Sequence, residues 1–343
     1  MATPHPHLAV HGDDPIARVA LNRRTVLLRS AALLAAGAAA LPSNAASFPS
    51  RPLKLVVPFP PGSGTDAGAR LIAQALSALT GVPVIVDNKA GGNGVIAVQH
   101  VLGAPADGHT ILIGSNTTLS ANAATYRKPP YDPLADFAPI SLLLSAPVLI
   151  AAPAESPYRS FGALVEAARA RPGALNYGTG SVSYTLYGEW LCQLAGVRAT
   201  PIAFKGSGDV VPAVIAGTVD FAVLDASTTV ELVRTGRLRG LLLGAAERFP
   251  QLADVPSATD AGVPAFDAFT WVAAAVSART PTPVVQALEA VFAKVGADAD
   301  LRRAYAGQIT TVRMTDAQEM RRFQVTEIAR WKALVAKVGL ALQ

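Results

Sequence analysis

Gly62 and Gly64 stand two residues apart in the segment Pro58-Phe59-Pro60-Pro61-Gly62-Ser63-Gly64-Thr65-Asp66. Glycines at such positions let the backbone turn and approach a ligand with no Cβ in the way. A helix starting near Asp66 would leave its first N–H groups, and the positive end of its dipole, aimed into that turn. The chemistry on offer is capture of an anion such as a carboxylate. Each charge-assisted hydrogen bond to it contributes about 1.5–3 kcal/mol. A plain tight turn uses the same residues, and Asp66 or Thr65 can cap the helix instead of meeting a ligand.

The same design recurs in Asn176-Tyr177-Gly178-Thr179-Gly180-Ser181-Val182-Ser183. Ser181 and Ser183 either cap the next helix or donate to a ligand. Gly114-Ser115-Asn116-Thr117-Thr118 forms a third polar loop. Two anion-ready turns in two halves of the chain predict a ligand with acidic groups held between them.

The elements that must position these loops follow from hydrophobic patterning. Short apolar runs predict strands at 53–59, 82–86, 110–114, 148–152, 174–177, 200–204, 220–224, 238–244 and 269–276. Helical spacing predicts helices at 66–79, 94–102, 161–170, 184–195, 210–216, 283–295, 301–306 and 317–338. Ala69, Ile72, Ala73, Leu76 and Leu79 give the first helix its apolar face, and Gly81 stops it. The last helix carries Met320, Phe323, Ile328, Trp331 and Leu334 near one face. Arg321, Arg322, Glu327, Arg330 and Lys332 interrupt it, so it packs on a core rather than crossing a bilayer. This alternation predicts an α/β fold of mainly parallel sheets flanked by helices. Two such units imply two lobes with a ligand cleft between them.

Composition narrows the chemistry. The chain has 343 residues, 51% hydrophobic and 15% charged. That is enough for a sizeable core and excludes a disordered chain. The one cysteine, Cys192, excludes a disulfide framework or a CxxC metal site; beside Trp190 and Leu191 it reads as a small core residue. His5, His7 and His11 precede residue 12, leaving only His100 and His109, both read as structural or surface. No G-x-S-x-G elbow, Walker A loop or Asp-x-Asp-x-Asp calcium loop is present. Nothing points to a catalytic residue, a metal or a cofactor.

Residues 1–46 read as a cleaved export signal: Arg23, Arg24 and Arg29, an apolar run from Ala31 to Leu41, then small residues around Ser43-Asn44-Ala45. Asn22-Arg23-Arg24-Thr25-Val26-Leu27-Leu28 resembles a twin-arginine signal, with the general export route as the alternative. No cysteine lies at the cleavage site, so the expected product is soluble, periplasmic and not lipid-anchored. The leader holds four arginines and two aspartates, so its loss takes the net charge from +5 to +3. No basic run remains downstream, which excludes nucleic acid as a partner.

A series of motifs in order carries a resemblance over nearly the whole remaining chain, from about Phe48 to Val338. They are the Pro58–Asp66 segment with Ala69-Arg70, Asp87-Asn88-Lys89-Ala90-Gly91-Gly92-Asn93-Gly94, Pro105-Ala106-Asp107-Gly108, and Tyr131-Asp132-Pro133 with Asp136 to Ile140. Asn176 to Ser181, Phe204-Lys205-Gly206-Ser207, Ala216 to Asp220 and Gly236-Arg237-Leu238-Arg239 follow. With these the chain resembles the Bug-type periplasmic substrate-binding proteins of the tripartite tricarboxylate transporter family.

The resemblance implies a two-lobe periplasmic binding protein, type II-like, that closes on a small organic carboxylate (a di- or tricarboxylate or an aromatic acid). Residues 47–147 plus 267–343 would form one lobe and 148–266 the other, with crossovers near 145–151 and 264–270. Backbone amides and hydroxyls of the two loops would hold the acid groups: Phe59, Gly62, Ser63, Gly64, Thr65 and Asp66 on one side, Thr179, Gly180, Ser181 and Ser183 on the other. Asn116, Lys205, Gly206 and Asp225 match places near the cleft, with Lys205 either on a ligand charge or at the rim. Arg70 is expected to pair with Asp66. The implied partners are integral membrane subunits of a transporter, or else a signalling receptor, and the implied state is a monomer. A carboxylate-processing enzyme on this fold would need an acid/base pair, and no histidine is available for one. Two departures stand out: Ser63 where the family has a glycine, and Tyr184-Thr185 where many members have a histidine. With Tyr187, Phe204 and Trp271, these aromatics either line a pocket for a bulkier acid or pack the lobes.

Overall fold

The computed structural model describes Met1 and residues 48–343; the export signal read at 1–46 lies, but for Met1, outside the described residues. Strand β1 (Leu53–Val57) pairs in parallel with β2 (Val84–Asn88) and β3 (Thr110–Ser115). Apart from the half-buried Lys54 its residues are apolar, because both faces are covered: Leu53, Leu55, Val56 and Val57 are all fully buried. Helix α1 (Gly64–Thr80) joins β1 to β2 and buries Ala69, Ile72, Ala73 and Leu76. Leu79, expected on that face, is exposed. Gly81 ends the helix in the left-handed conformation, its N–H bonded to Ser77 O. Helix α2 (Val95–Gly103) leads to β3. A single π turn (Thr117–Ala121) and the short α3 (Asn122–Thr125) follow.

Strand β4 (Phe137–Pro153) is far longer than the expected 148–152. Pro139 and Pro147 mask its first part in the sequence. Pro139 is tolerated because the ladder slips register between Pro139 and Ser141. The first part of β4, from Phe137 to Pro147, runs antiparallel to β9 (Phe269–Ser277). Its remainder runs antiparallel to β7 (Phe221–Asp225) and β8 (Leu238–Leu243). Beyond β7 lie β5 (Asn176–Thr179) and β6 (Thr200–Ala203), parallel to one another, with β5 also parallel to β7. The strand order is β2-β1-β3-β9-β4-β7-β5-β6. Each three-strand group is thus parallel, as the alternation predicted, and β4 and β9 join the groups by antiparallel pairing. The two-residue β10 (Thr311–Val312) pairs with β4.

The helices of the second group are α4 (Phe161–Ala170), α5 (Val182–Ala195), α6 (Ser207–Ile215) and α7 (Ala226–Arg234). Patterning does not foresee α7. Its segment Ser227-Thr228-Thr229-Val230 is rich in residues of modest helix propensity. It forms because the Asp225 side chain caps it, accepting Thr228 N–H. Helices α8 (Thr282–Gly296), α9 (Ala299–Gly307) and α10 (Ala317–Val338) complete the chain. Helix α10 straddles the two groups. Met320 sits with Val56, Phe137 and Trp271. Trp331, Leu334 and Val335 sit with Tyr177, Leu186, Tyr187 and Phe266. Among the described residues no helix is long and apolar enough to cross a membrane.

Candidate functional site

A cavity of about 350 Å³ opens where the strands of both groups end. Ligands of open α/β sheets gather at these carboxyl ends. Its walls come from the turn after β1, the end of β3, the turn after β5, the starts of α6 and α7, and residues of β4, β9 and α9.

In the first turn, Gly62 takes φ +83°, a conformation glycine adopts without strain. Ser63, not Thr65 or Asp66, is the N-cap of α1, and its Oγ accepts Asp66 N–H at 3.3 Å. The N–H groups of Gly64 and Thr65 have no intrahelical acceptor; both residues line the cavity with Phe59, Gly62 and Ser63. Asp66 does not reach the cavity wall. Its carboxylate accepts from Gly62 N–H at 3.0 Å, Arg70 Nε at 3.0 Å and Asn88 Nδ2 at 3.0 Å. The Asn88 amide also reaches Phe59 O at 2.9 Å. Burial works against the charge of Asp66, but the Arg70 guanidinium, the Gly62 N–H and the Asn88 amide outweigh it. Together they hold its carboxyl below the ordinary range. Asp66 therefore braces the turn from behind.

Asn116 is buried in the wall, and its Nδ2 has no hydrogen-bond partner. A buried amide left unpaired is costly, so an unpaired donor on a wall residue points to a missing acceptor such as a ligand or a water. Beside it, Thr117 Oγ1 lies 3.0 Å from Ser181 Oγ and 2.8 Å from Ser183 Oγ. Ser181 holds the N-cap position of α5 without a side-chain capping bond. Asn93 instead accepts the Val182 N–H at 3.0 Å. Of the second turn, Gly180 and Ser181 line the cavity. Thr179 and Ser183 lie outside the wall. Thr179 is fully buried, 2.9 Å from Thr185 Oγ1. A Cβ on Gly180 would meet Ser207 N at 2.6 Å, so the two turns approach too closely for a side chain.

Lys205 and Gly206 also lie outside the wall, whereas the next residue, Ser207, is in it. A Cβ on Gly206 would stand 2.7 Å from Pro60 Cδ, so this turn rides against the first one. Asp225 lines the cavity and is almost wholly buried. Its Oδ1 accepts from Ser227 Oγ at 2.7 Å, Thr228 Oγ1 at 2.8 Å and Thr228 N–H at 3.1 Å. Its Oδ2 accepts from Tyr184 Oη at 3.1 Å and Ser207 Oγ at 3.3 Å. Glu231 lines the cavity too, exposed and paired with Arg234 at 2.7 Å. Among the described residues no lysine or arginine lines the cavity.

Of the aromatic candidates, Tyr184 and Trp271 are wall residues. Tyr187, whose Oη reaches Phe269 O at 2.6 Å, and Phe204 are not. Tyr305, Gln308 and Thr310 join the wall unforeseen, because only the tertiary fold brings α9 there. Thr117 and Ser207 sit inside motifs visible in the sequence. His109 packs on Phe48 and Asp107, His100 lies 3.9 Å from Asp87, and neither reaches the cavity. Among the described residues no group of three His, Cys, Asp or Glu side chains could hold a metal.

Two parallel sheet groups joined by long antiparallel strands, with a cavity at their strand ends, define a periplasmic-binding-protein fold. The description "Tripartite tricarboxylate transporter family receptor" matches residues 68–340. Protein BugT of Bordetella pertussis is 30% identical over 299 residues, covering 86% of this chain and 91% of that protein. The UPF0065 protein in the tcbD-tcbE intergenic region of Pseudomonas sp. strain P51 is 36% identical over 258 residues, covering 74% of this chain and 76% of that protein. Among solved structures, R. palustris Rpa4515 with adipate superposes with a TM-score of 0.83 at 31% identity, covering 86% of this chain and 100% of that one. MatC (Rpa3494) from Rhodopseudomonas palustris with bound malate superposes at 0.78 and 30% identity, covering 84% and 100%. The chain belongs to the tripartite tricarboxylate transporter receptor family.

Proposed function

We propose that this protein is an exported periplasmic solute receptor that captures a small organic carboxylate and delivers it to the integral membrane subunits of a transporter. The observation that carries this reading is a set of donors without protein partners on residues that line the cavity: the Gly64 and Thr65 N–H groups at the start of α1 and the buried Asn116 amide. An anion placed there gains charge-assisted hydrogen bonds and the favourable end of the α1 dipole, with no cation required. The bound adipate and malate of the related R. palustris structures support the carboxylate class.

In this reading residues 47–147 with 267–343 and residues 148–266 act as lobes that close over the ligand. They hinge where β4 and β9 pass between the groups, near 145–151 and 264–270. The protein works as a monomer, without cofactor, metal or nucleic acid, and makes and breaks no bond.

Thermal-shift screening of the purified protein against mono-, di- and tricarboxylates tests this. A ligand at 100 times its Kd stabilises by about 2.7 kcal/mol. Stabilisation by cations or neutral sugars alone, or turnover of a bound carboxylate, would overturn the reading.

A further inference from the structure

We infer that Asn93 is a positioning residue for ligand binding: from one lobe it caps helix α5 of the other, and the cap forms only when the lobes meet. This rests on the closing receptor read above and deepens it. The N–H of Val182, the first residue of α5, is accepted by Asn93 Oδ1 at 3.0 Å, across 89 residues of sequence. The helix supplies no substitute of its own. Ser181, at its N-cap position, makes no side-chain capping bond, and its Oγ is engaged with Thr117 and Ser183 instead. Val182 is buried, and a buried N–H at a helix start costs free energy when it has no acceptor.

The loop that carries Asn93 is shaped to present it. Gly91, Gly92, Asn93 and Gly94 all take positive φ, at +128°, +56°, +52° and +83°. Asparagine is one of the few side chains that tolerates the left-handed region, and the other three positions are glycine. The single side chain in this run is thus the one that reaches α5. Asn93 O accepts Asn122 Nδ2 at 3.0 Å. A Cβ on Gly94 would collide with the Thr118 methyl and lie 2.8 Å from Pro58 Cβ, so the loop is wedged between the π turn and the turn after β1. Asn93 itself does not line the cavity. It acts through the turns it leans on: they border the cavity on one side, and their placement brings the cap to the helix on the other. An open arrangement would separate the 47–147 segment from α5 and lose the bond, so the cap favours the closed, ligand-holding form alone.

Two variants separate the cap from the loop. Asn93→Gly removes the side chain and leaves the left-handed backbone unstrained. Asn93→Asp keeps an acceptor in the same place. The probe is whichever of adipate, malate, citrate and benzoate gives the wild-type protein the largest thermal shift. In titration calorimetry Asn93→Gly should bind it about five- to tenfold more weakly, the size of a lost helix cap. Asn93→Asp should recover most of that loss. Amide hydrogen exchange supplies a readout that a cap present in every state would not move: the probe should slow exchange at Val182 in the wild type but not in Asn93→Gly. An unchanged Kd in Asn93→Gly, an Asn93→Asp as weak as Asn93→Gly, or Val182 protection that is the same with and without the probe would each overturn the inference and leave the carboxylate reading standing. Binding of none of the four acids would overturn both.

Discussion

The hydroxyl oxygens of Thr117 and Ser183 lie 2.8 Å apart, joining the end of β3 to the start of α5 across 66 residues of sequence. Ser181 Oγ stands 3.0 Å from each of them, so three hydroxyls close a ring. Each can donate to the next, which leaves no buried hydroxyl proton unpaired. The ring ties together two turns that border the cavity, and its bonds exist only while those turns are in contact. Thr117→Val keeps the shape and removes one member. Ligand affinity should fall several-fold, in line with about 1 kcal/mol for a lost hydrogen bond. Titration calorimetry checks this; an unchanged Kd would show that the ring does not hold the bound state.

Gly64 faces a second close approach. A Cβ there would lie 2.8 Å from Asp225 Oδ1 and 3.0 Å from its Cγ. Asp225 cannot swing aside cheaply, because five donors hold it. Alanine at the start of α1 costs the helix itself nothing. Gly64→Ala should still lower the melting temperature of the ligand-free protein, because the added Cβ meets a fixed carboxylate. It should weaken ligand binding by roughly tenfold or more, about 1.4 kcal/mol. Wild-type affinity in the folded variant would remove this approach from the bound state.

The acid limb of stability should report on Asp66. Its carboxyl titrates below the ordinary 3.8, because the Arg70 guanidinium, the Gly62 N–H and the Asn88 amide outweigh the cost of burial. A carboxylate depressed on folding adds stability above its unfolded value, and that share is lost as pH falls through the folded value. Asp66→Asn should destabilise by about 1–3 kcal/mol at neutral pH. The gap to wild type should shrink below about pH 4. Urea midpoints at neutral and acid pH measure it, and a gap that does not change with pH would contradict the assignment.

Much of this site can be read in the sequence, for a physical reason. Turns that must bring backbone close to something need glycine and hydroxyl residues, and Gly62–Thr65 and Gly180-Ser181 show both. The pattern does not reveal which way each side chain faces. Asp66 and Ser183 belong to the right turns yet point away from the cavity. Lys205 precedes the wall residue Ser207 but lies outside the wall. Tyr305 on α9 and Gln308 just past its end enter from more than 200 residues beyond the first turn, which no local periodicity encodes. The strand from 137 to 147 hides behind its prolines, and α7 hides behind a β-branched segment rescued by one capping aspartate.

Cys192 tests the core of the second strand group. It is buried on α5, and burial together with Glu189 pushes its thiol up to about 12. The thiolate is the reactive form, so at about pH 8 the native protein should react only very slowly with a disulfide reagent. In concentrated guanidinium one thiol should react promptly. Rapid modification of the native protein would mean that α5 opens far more readily than its packing implies.

The strongest demand on α10 falls on Glu327. It is buried, accepts the Trp271 indole N–H at 2.9 Å and pairs with Arg330 at 3.3 Å. Arg330 in turn reaches Asp267 O and lies 5.7 Å over the Trp190 ring. One side chain thus links β9, which lines the cavity, to the helix that covers both strand groups. Glu327→Ala would strand the indole N–H and leave Arg330 without its counter-charge. The cost should be about 2 kcal/mol, less than for a fully buried pair because Arg330 keeps some contact with water. Replacing both residues, Glu327→Gln with Arg330→Met, should recover part of that loss, since no unpaired charge then remains. Chemical denaturation of the two variants measures the difference. Equal stability of Glu327→Ala and wild type would show that the Trp271–Glu327–Arg330 chain contributes nothing to holding α10 in place.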